Sequence, residues 1–182
     1  MNSKTSPRLT QEAWLQAGFE ALKEHGARAL KAEPLARRVG MTKGSFYWHF
    51  ADVPAFHKAL LVQWEAMAIR QIVTALATEY TPTGRLRRMG QVIADKPEGA
   101  AIEPAIRAWA KADEAAAKAV ARVDEARLDY LRDLLSETGI ENPEMARIIY
   151  AASIGMEDLG AADRRENSRA MGSLVDLILA LR

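Results

Sequence analysis

LARRVGMTKGSFYWHF, residues 35–50, holds two short apolar-patterned segments separated by a glycine. A helix from about Ala32 to Val39 buries Leu35, Ala36 and Val39, with Pro34 in the first turn, where backbone N–H groups lack intrahelical partners. Gly40 can adopt the positive φ of a tight turn, Met41 can plug the core between two helices, and Thr42 caps a helix running to about His49. Two short helices joined by such a turn form a helix-turn-helix. On the second of them Phe46 and Phe50 are i,i+4 partners facing the core. Gly44, Ser45 and Trp48 then lie opposite, with Lys43 and Tyr47 on the flanks. Leaving a phenol and an indole exposed forgoes burial and calls for a partner. Double-stranded DNA is one. Hydroxyls and cations meet phosphates, Lys43 reaches guanine acceptors, apolar edges meet thymine methyls, and Gly44 admits a close backbone.

The flanking sequence supplies the rest of an all-α chain. Thr10 is a good N-cap for a helix over 11–25 whose inner face is Trp14, Leu15, Gly18, Phe19 and Leu22, with Gly26 as its stop. Asp52 caps a fourth helix with Pro54 in its first turn; its stripe Phe56, Leu60, Trp64, Met67, Ile72, Leu76 is expected to run on to Tyr80, where Pro82 and Gly84 end it. Such a helix is about 40 Å long, enough to pass from a small domain into a second. Further helices are expected near 85–95, 103–111, 113–138, 143–159 and 165–181, with breaks at Pro97 and Gly99, Asp113, Gly139, Asn142–Pro143 and Gly160. The division that follows is residues 1–53 and 54–182.

Net charge is +1, but residues 1–60 carry nine Lys/Arg against five acids, and the rest 16 against 19. The excess points the N-terminal third at an anionic partner. Arg37 and Arg38 are equally readable as phosphate contacts or as solvated helix residues. There is no cysteine, so disulfides and thiolate sites are excluded. The first residues lack a signal-like apolar run and no stretch reaches the roughly 18 apolar residues of a membrane span, so a cytoplasmic protein without membrane contact is expected.

The span from Thr10 to about Trp64 resembles the N-terminal domain of the tetracycline-repressor (TetR) family, through Gly40, Thr42, Gly44, Phe46, Tyr47, His49 and Phe50 at this spacing. Weaker similarity continues through residues 105–139. The resemblance implies that Thr42, Lys43, Gly44, Ser45 and Tyr47 enter or border the major groove, that Trp48 and His49 lie close to the backbone, and that Lys31 touches phosphate. At Val53, where many members carry a lysine or arginine that grips phosphate, this chain departs from the pattern.

In the C-terminal two-thirds Trp64, Met67, Met89, Val92, Ile93, Ile106, Trp109, Val123, Tyr130 and Met156 are candidates for the wall of an apolar cavity, with Tyr130, Arg127 or Asp129 orienting a ligand. The resemblance implies a pocket for a small apolar or aromatic effector here. Ala146, Ala151, Ala152, Ser153 and Gly155 permit close helix approach, and Met171, Leu174, Leu177, Ile178 and Leu181 form an apolar stripe that needs cover. Of these, Ala152, Gly155, Met171, Leu174, Ile178 and Leu181 are taken as the dimer seam. The family's two-fold bundle would set two recognition helices about 34–36 Å apart, or a multiple, on a pseudo-palindromic operator. No nucleophile with its base, phosphate-cradling loop or metal cluster is evident, and His49 with His57 lacks a third ligand; no enzyme activity, cofactor or metal is expected. The reading is a homodimeric regulator, a repressor released by its effector. Its alternative is a helical binding protein or enzyme whose N-terminal helices do not read DNA.

Overall fold

The computed structural model describes residues 9–94, 102–159 and 164–180. Among them are nine α-helices and no strand: α1 (Gln11–His25), α2 (Ala32–Arg38), α3 (Lys43–His49), α4 (Val53–Leu76), α5 (Pro82–Ala94), α6 (Glu103–Ala110), α7 (Glu114–Glu137), α8 (Glu144–Asp158) and α9 (Arg164–Leu179). A single 3-10 turn, Ala27–Ala29, joins α1 to α2. No described helix is long and apolar enough to cross a membrane. The breaks expected at Pro97, Gly99 and Gly160 lie outside the described residues.

The chain forms two compact units. The first comprises residues 1–65 and 101–120, the second residues 66–100 and 121–182. In the first, Thr10 accepts a hydrogen bond from the Ala13 backbone N–H at 3.2 Å and starts α1. Gly40 has a φ of 67°, the left-handed turn between α2 and α3 that a side chain would resist. Phe46, fully buried, sits 5.4 Å from Trp14 and 5.3 Å from Phe56, ring centre to ring centre, which locks α3 between α1 and α4. Gly18 permits that packing: a Cβ there would lie 2.6 Å from Phe56 Cζ.

Two expectations about α4 are corrected. The helix ends at Leu76, not at Tyr80, whose side chain is 94% exposed. Pro82 does not merely separate helices; it opens α5, because the Thr81 hydroxyl accepts from the Gly84 N–H at 3.0 Å and proline suits the first helical position.

In the second unit α5 packs chiefly on α9, and α8 packs on both. Its core contains Leu76, Leu86, Met89, Leu131, Leu134, Ile149, Tyr150, Met171, Val175 and Ile178. Within it the Tyr150 hydroxyl donates to Asp124 Oδ1 at 2.6 Å and accepts from Arg127 at 3.2 Å. Burial first, then the Asp124 bond, pushes the phenol pKa up to about 12.

Candidate nucleic-acid interface

The surface of α3 is set by what its buried side takes. Phe46 and Phe50 are in the core, and the Thr42 hydroxyl accepts from the Ser45 N–H at 3.3 Å to fix the helix start. Thr42, Lys43 and Gly44 are exposed, Tyr47 is 44% and Trp48 67% exposed, and Ser45 and His49 are half-buried. Burying a large apolar side chain is worth about 1.5–3 kcal/mol, so presenting Tyr47 and Trp48 to water forgoes stabilisation the chain could have used. Tyr47 is nevertheless held in place: its ring meets Phe46 edge-on at 5.3 Å, and Lys43 Nζ lies 6.0 Å from its centroid. A Cβ at Gly44 would meet only Thr42 Oγ1, at 3.7 Å. A side chain would fit there without displacing any neighbour, so packing does not require the glycine.

The basic candidates separate into two kinds. Arg38 is turned back onto α1, where its guanidinium donates to both Glu24 oxygens at 2.6 and 2.8 Å. That fork holds the Glu24 carboxyl below the usual carboxylate range and compensates the arginine's charge. Lys31, Arg37 and Lys43 are exposed and make no ion pair among the described residues. Lys31 also precedes α2 as its N-cap without a side-chain capping bond. The Glu12 carboxyl is lowered first by a backbone hydrogen bond and then by the Thr10 hydroxyl, with His49 adding a smaller electrostatic pull. Val53, at the start of α4, is half-buried, beside Asp52, whose Oδ1 accepts from the Ala55 N–H at 2.7 Å.

His57 has a role that spacing did not reveal. Its Nε2–H donates to the Leu30 carbonyl at 2.9 Å and its ring stands edge-on to Trp109 at 5.1 Å, so one imidazole ties the turn before α2, α4 and α6 together. Among the described residues no group of three or more His, Asp or Glu side chains gathers as a metal site.

The cavity candidates divide between the two units. Trp64, Ile106 and Trp109 are buried in the first. In the second, Met89 is core, Tyr130 and Met156 are packed against it half-buried, and Met67 is 37% exposed. On α4, Met67 lies outward of the buried Trp64 and Ala68. The side chains of Val92 and Ile93 lie outside the described residues.

The seam candidates also divide. Met171 and Ile178 are buried within the protomer at 0% and 2% exposure and therefore cannot present a surface to a partner. Ala146 and Ser153 face the same core. Outward lie Ile148, Ala151, Gly155 and Leu159 on and just after α8, with Ala170 and Leu177 on α9 and Ala152 and Leu174 half-buried beside them. These positions recur every three or four residues and make one stripe on each helix. Leu181 is outside the described residues.

Residues 15–52 match the family model described as "Bacterial regulatory proteins, tetR family". No curated relative matches the chain. Among solved structures, a transcriptional regulator from Rhodococcus sp. Rha1 is 16% identical, with 94% of this chain and 97% of that one covered at a TM-score of 0.80. A TetR-family transcriptional regulator from Streptomyces coelicolor is 18% identical, covering 93% and 88% at 0.79. Reduced NemR from E. coli is 21% identical, covering 92% and 96% at 0.77. At these identities the likeness is one of fold, and it extends over nearly the whole chain.

Proposed function

Because the chain carries, in residues 15–52, the N-terminal domain of the tetR family of bacterial regulatory proteins, we propose that it is a sequence-specific, double-stranded-DNA-binding transcriptional regulator. The observation that carries this reading is the outer face of α3: Lys43, Gly44, Tyr47 and Trp48 are turned to solvent while Phe46 and Phe50 anchor the helix. Lys43 and Tyr47, with Gly44 between them, read base edges in the major groove; Thr42, Ser45, Trp48 and His49 border the strand, and Lys31 and Arg37 meet phosphates. Arg38 contributes through Glu24 to the position of α2 and not to the DNA contact.

The protein acts as a homodimer, joined through the outward stripes of α8 and α9, and its output is repression relieved by a small effector held in the second unit. What supports the dimer is the exposed stripe itself: Ile148 at 45%, Leu159 at 78% and Leu177 at 64% exposure, interleaved with alanine and glycine, suit a close helix-helix seam. An effector that prefers one dimer arrangement must be bound less well when DNA holds the other, since coupling between sites is reciprocal.

Selection of genomic fragments by the purified protein tests the reading. Recovery of a recurrent, pseudo-palindromic site, bound more weakly as salt rises, is expected. Failure to enrich any sequence over bulk DNA would favour instead a helical binding protein whose N-terminal helices do not read DNA.

A further inference from the structure

Leu30 and Lys31 join the 3-10 turn to α2, and hydrogen bonds hold the peptide between them at both ends. Leu30 adopts φ −79° and ψ 54°, the centre of an inverse γ-turn in which the Lys31 N–H donates to the Ala29 carbonyl at 2.9 Å. The Lys31 carbonyl accepts from the Leu35 N–H at 3.1 Å and starts α2. The Leu30 carbonyl takes part in neither the turn nor the helix, and His57 Nε2–H donates to it at 2.9 Å. That bond is half-buried, where a carbonyl without a donor is costly.

A peptide group is planar, so the Leu30 carbonyl and the Lys31 N–H rotate together. Bonded to His57 at one end and to Ala29 at the other, the plane is held, and with it the direction of the Lys31 Cα–Cβ bond. The imidazole is held in turn: its ring stands at 80° to the buried ring of Trp109 on α6, with centres 5.1 Å apart. We propose that His57 is a positioning residue for DNA binding, which through the Leu30–Lys31 peptide aims the Lys31 ammonium at the phosphate backbone. The inference rests on the phosphate contact given to Lys31 above. Lys31 is exposed and makes no ion pair among the described residues, so no neighbouring carboxylate directs its side chain. Fixing its backbone origin reduces the conformational freedom that must be lost when the ammonium meets a phosphate.

His57→Met and His57→Gln separate this bond from packing, because the two new side chains have nearly one shape and only glutamine keeps an N–H donor. Fluorescence anisotropy with the selected operator and with a scrambled duplex of equal length measures the effect. His57→Met is expected to weaken binding of both duplexes alike by about tenfold, the effect of roughly one net hydrogen bond in each half of a dimer. His57→Gln should bind as the parent does. Lys31→Ala should lower the slope of log K against log salt by about 1.8, two phosphates at about 0.9 each, and in that background His57→Met should have no further effect. Parental affinity in His57→Met, lost affinity in His57→Gln, a changed base preference, or an equal loss with and without Lys31 would each overturn the proposal. An unchanged salt slope in Lys31→Ala would remove the phosphate reading of Lys31 and the proposal with it, leaving α3 as the reader. A lowered slope there, with no effect of His57→Met, removes the proposal alone.

Discussion

Lys43→Ala is expected to reduce operator affinity by about 30-fold to more than 10⁴-fold while leaving the melting temperature within error of the parent. Each well-placed base contact is worth about 1–3 kcal/mol, and a two-fold dimer loses two of them, about 2–6 kcal/mol in all. Stability should hardly respond, because Lys43 is exposed, makes no ion pair among the described residues, and stands where alanine is a good helix former. Tyr47→Ala should match it in lost affinity but cost about 1 kcal/mol of stability, because its ring rests edge-on against Phe46. The difference between the two variants separates a reading role from a packing role. Titration of operator DNA followed by anisotropy, with thermal unfolding of the same samples, measures both. Parental affinity in a folded Lys43→Ala protein would remove α3 as the reader.

The second large effect concerns two neighbours on α9. Leu177 is 64% exposed and Ile178 2%. In an isolated protomer Leu177→Asp would be nearly neutral, since it replaces an exposed apolar group by a solvated one. In the proposed dimer it places a carboxylate in an apolar seam, at a cost of several kcal/mol, and a monomer with an unchanged helical spectrum should result. Ile178→Asp puts the same charge into the protomer's own core beside Met171 and Val175, and should unfold the second unit outright. Sedimentation and circular dichroism distinguish the outcomes. A Leu177→Asp dimer of full stability would mean that the stripes of α8 and α9 are not the seam.

The contrast between these residues also shows how far the sequence could be read. α1 was legible because its signals are local: Thr10 and Gly26 sit at its two ends and its apolar face repeats at helical spacing. α3 was legible for the same reason, since Phe46 and Phe50 four residues apart assign every other side chain to the opposite face. The outward stripe of α9 was only partly legible. Met171, Leu174, Leu177 and Ile178 form one broad apolar arc, and periodicity alone does not say which edge meets α5 and α8 and which is left outside. Arg38 was ambiguous because its partner Glu24 is 14 residues away, across a turn that no spacing rule covers. Pro82 alone reads as the stop of α4; only its pairing with Thr81 marks it as the start of α5.

The central claim, that α3 enters the major groove twice from a two-fold dimer, is tested most directly by methylation interference on the selected operator with the unaltered protein. Dimethyl sulfate marks guanine N7 in the major groove and adenine N3 in the minor groove. The account predicts that N7 methylation blocks binding in two clusters related by symmetry, with centres about 10–10.5 base pairs apart or a multiple of that, and that N3 methylation between them has little effect. Interference confined to adenine N3, or a single cluster without a symmetric mate, would contradict it.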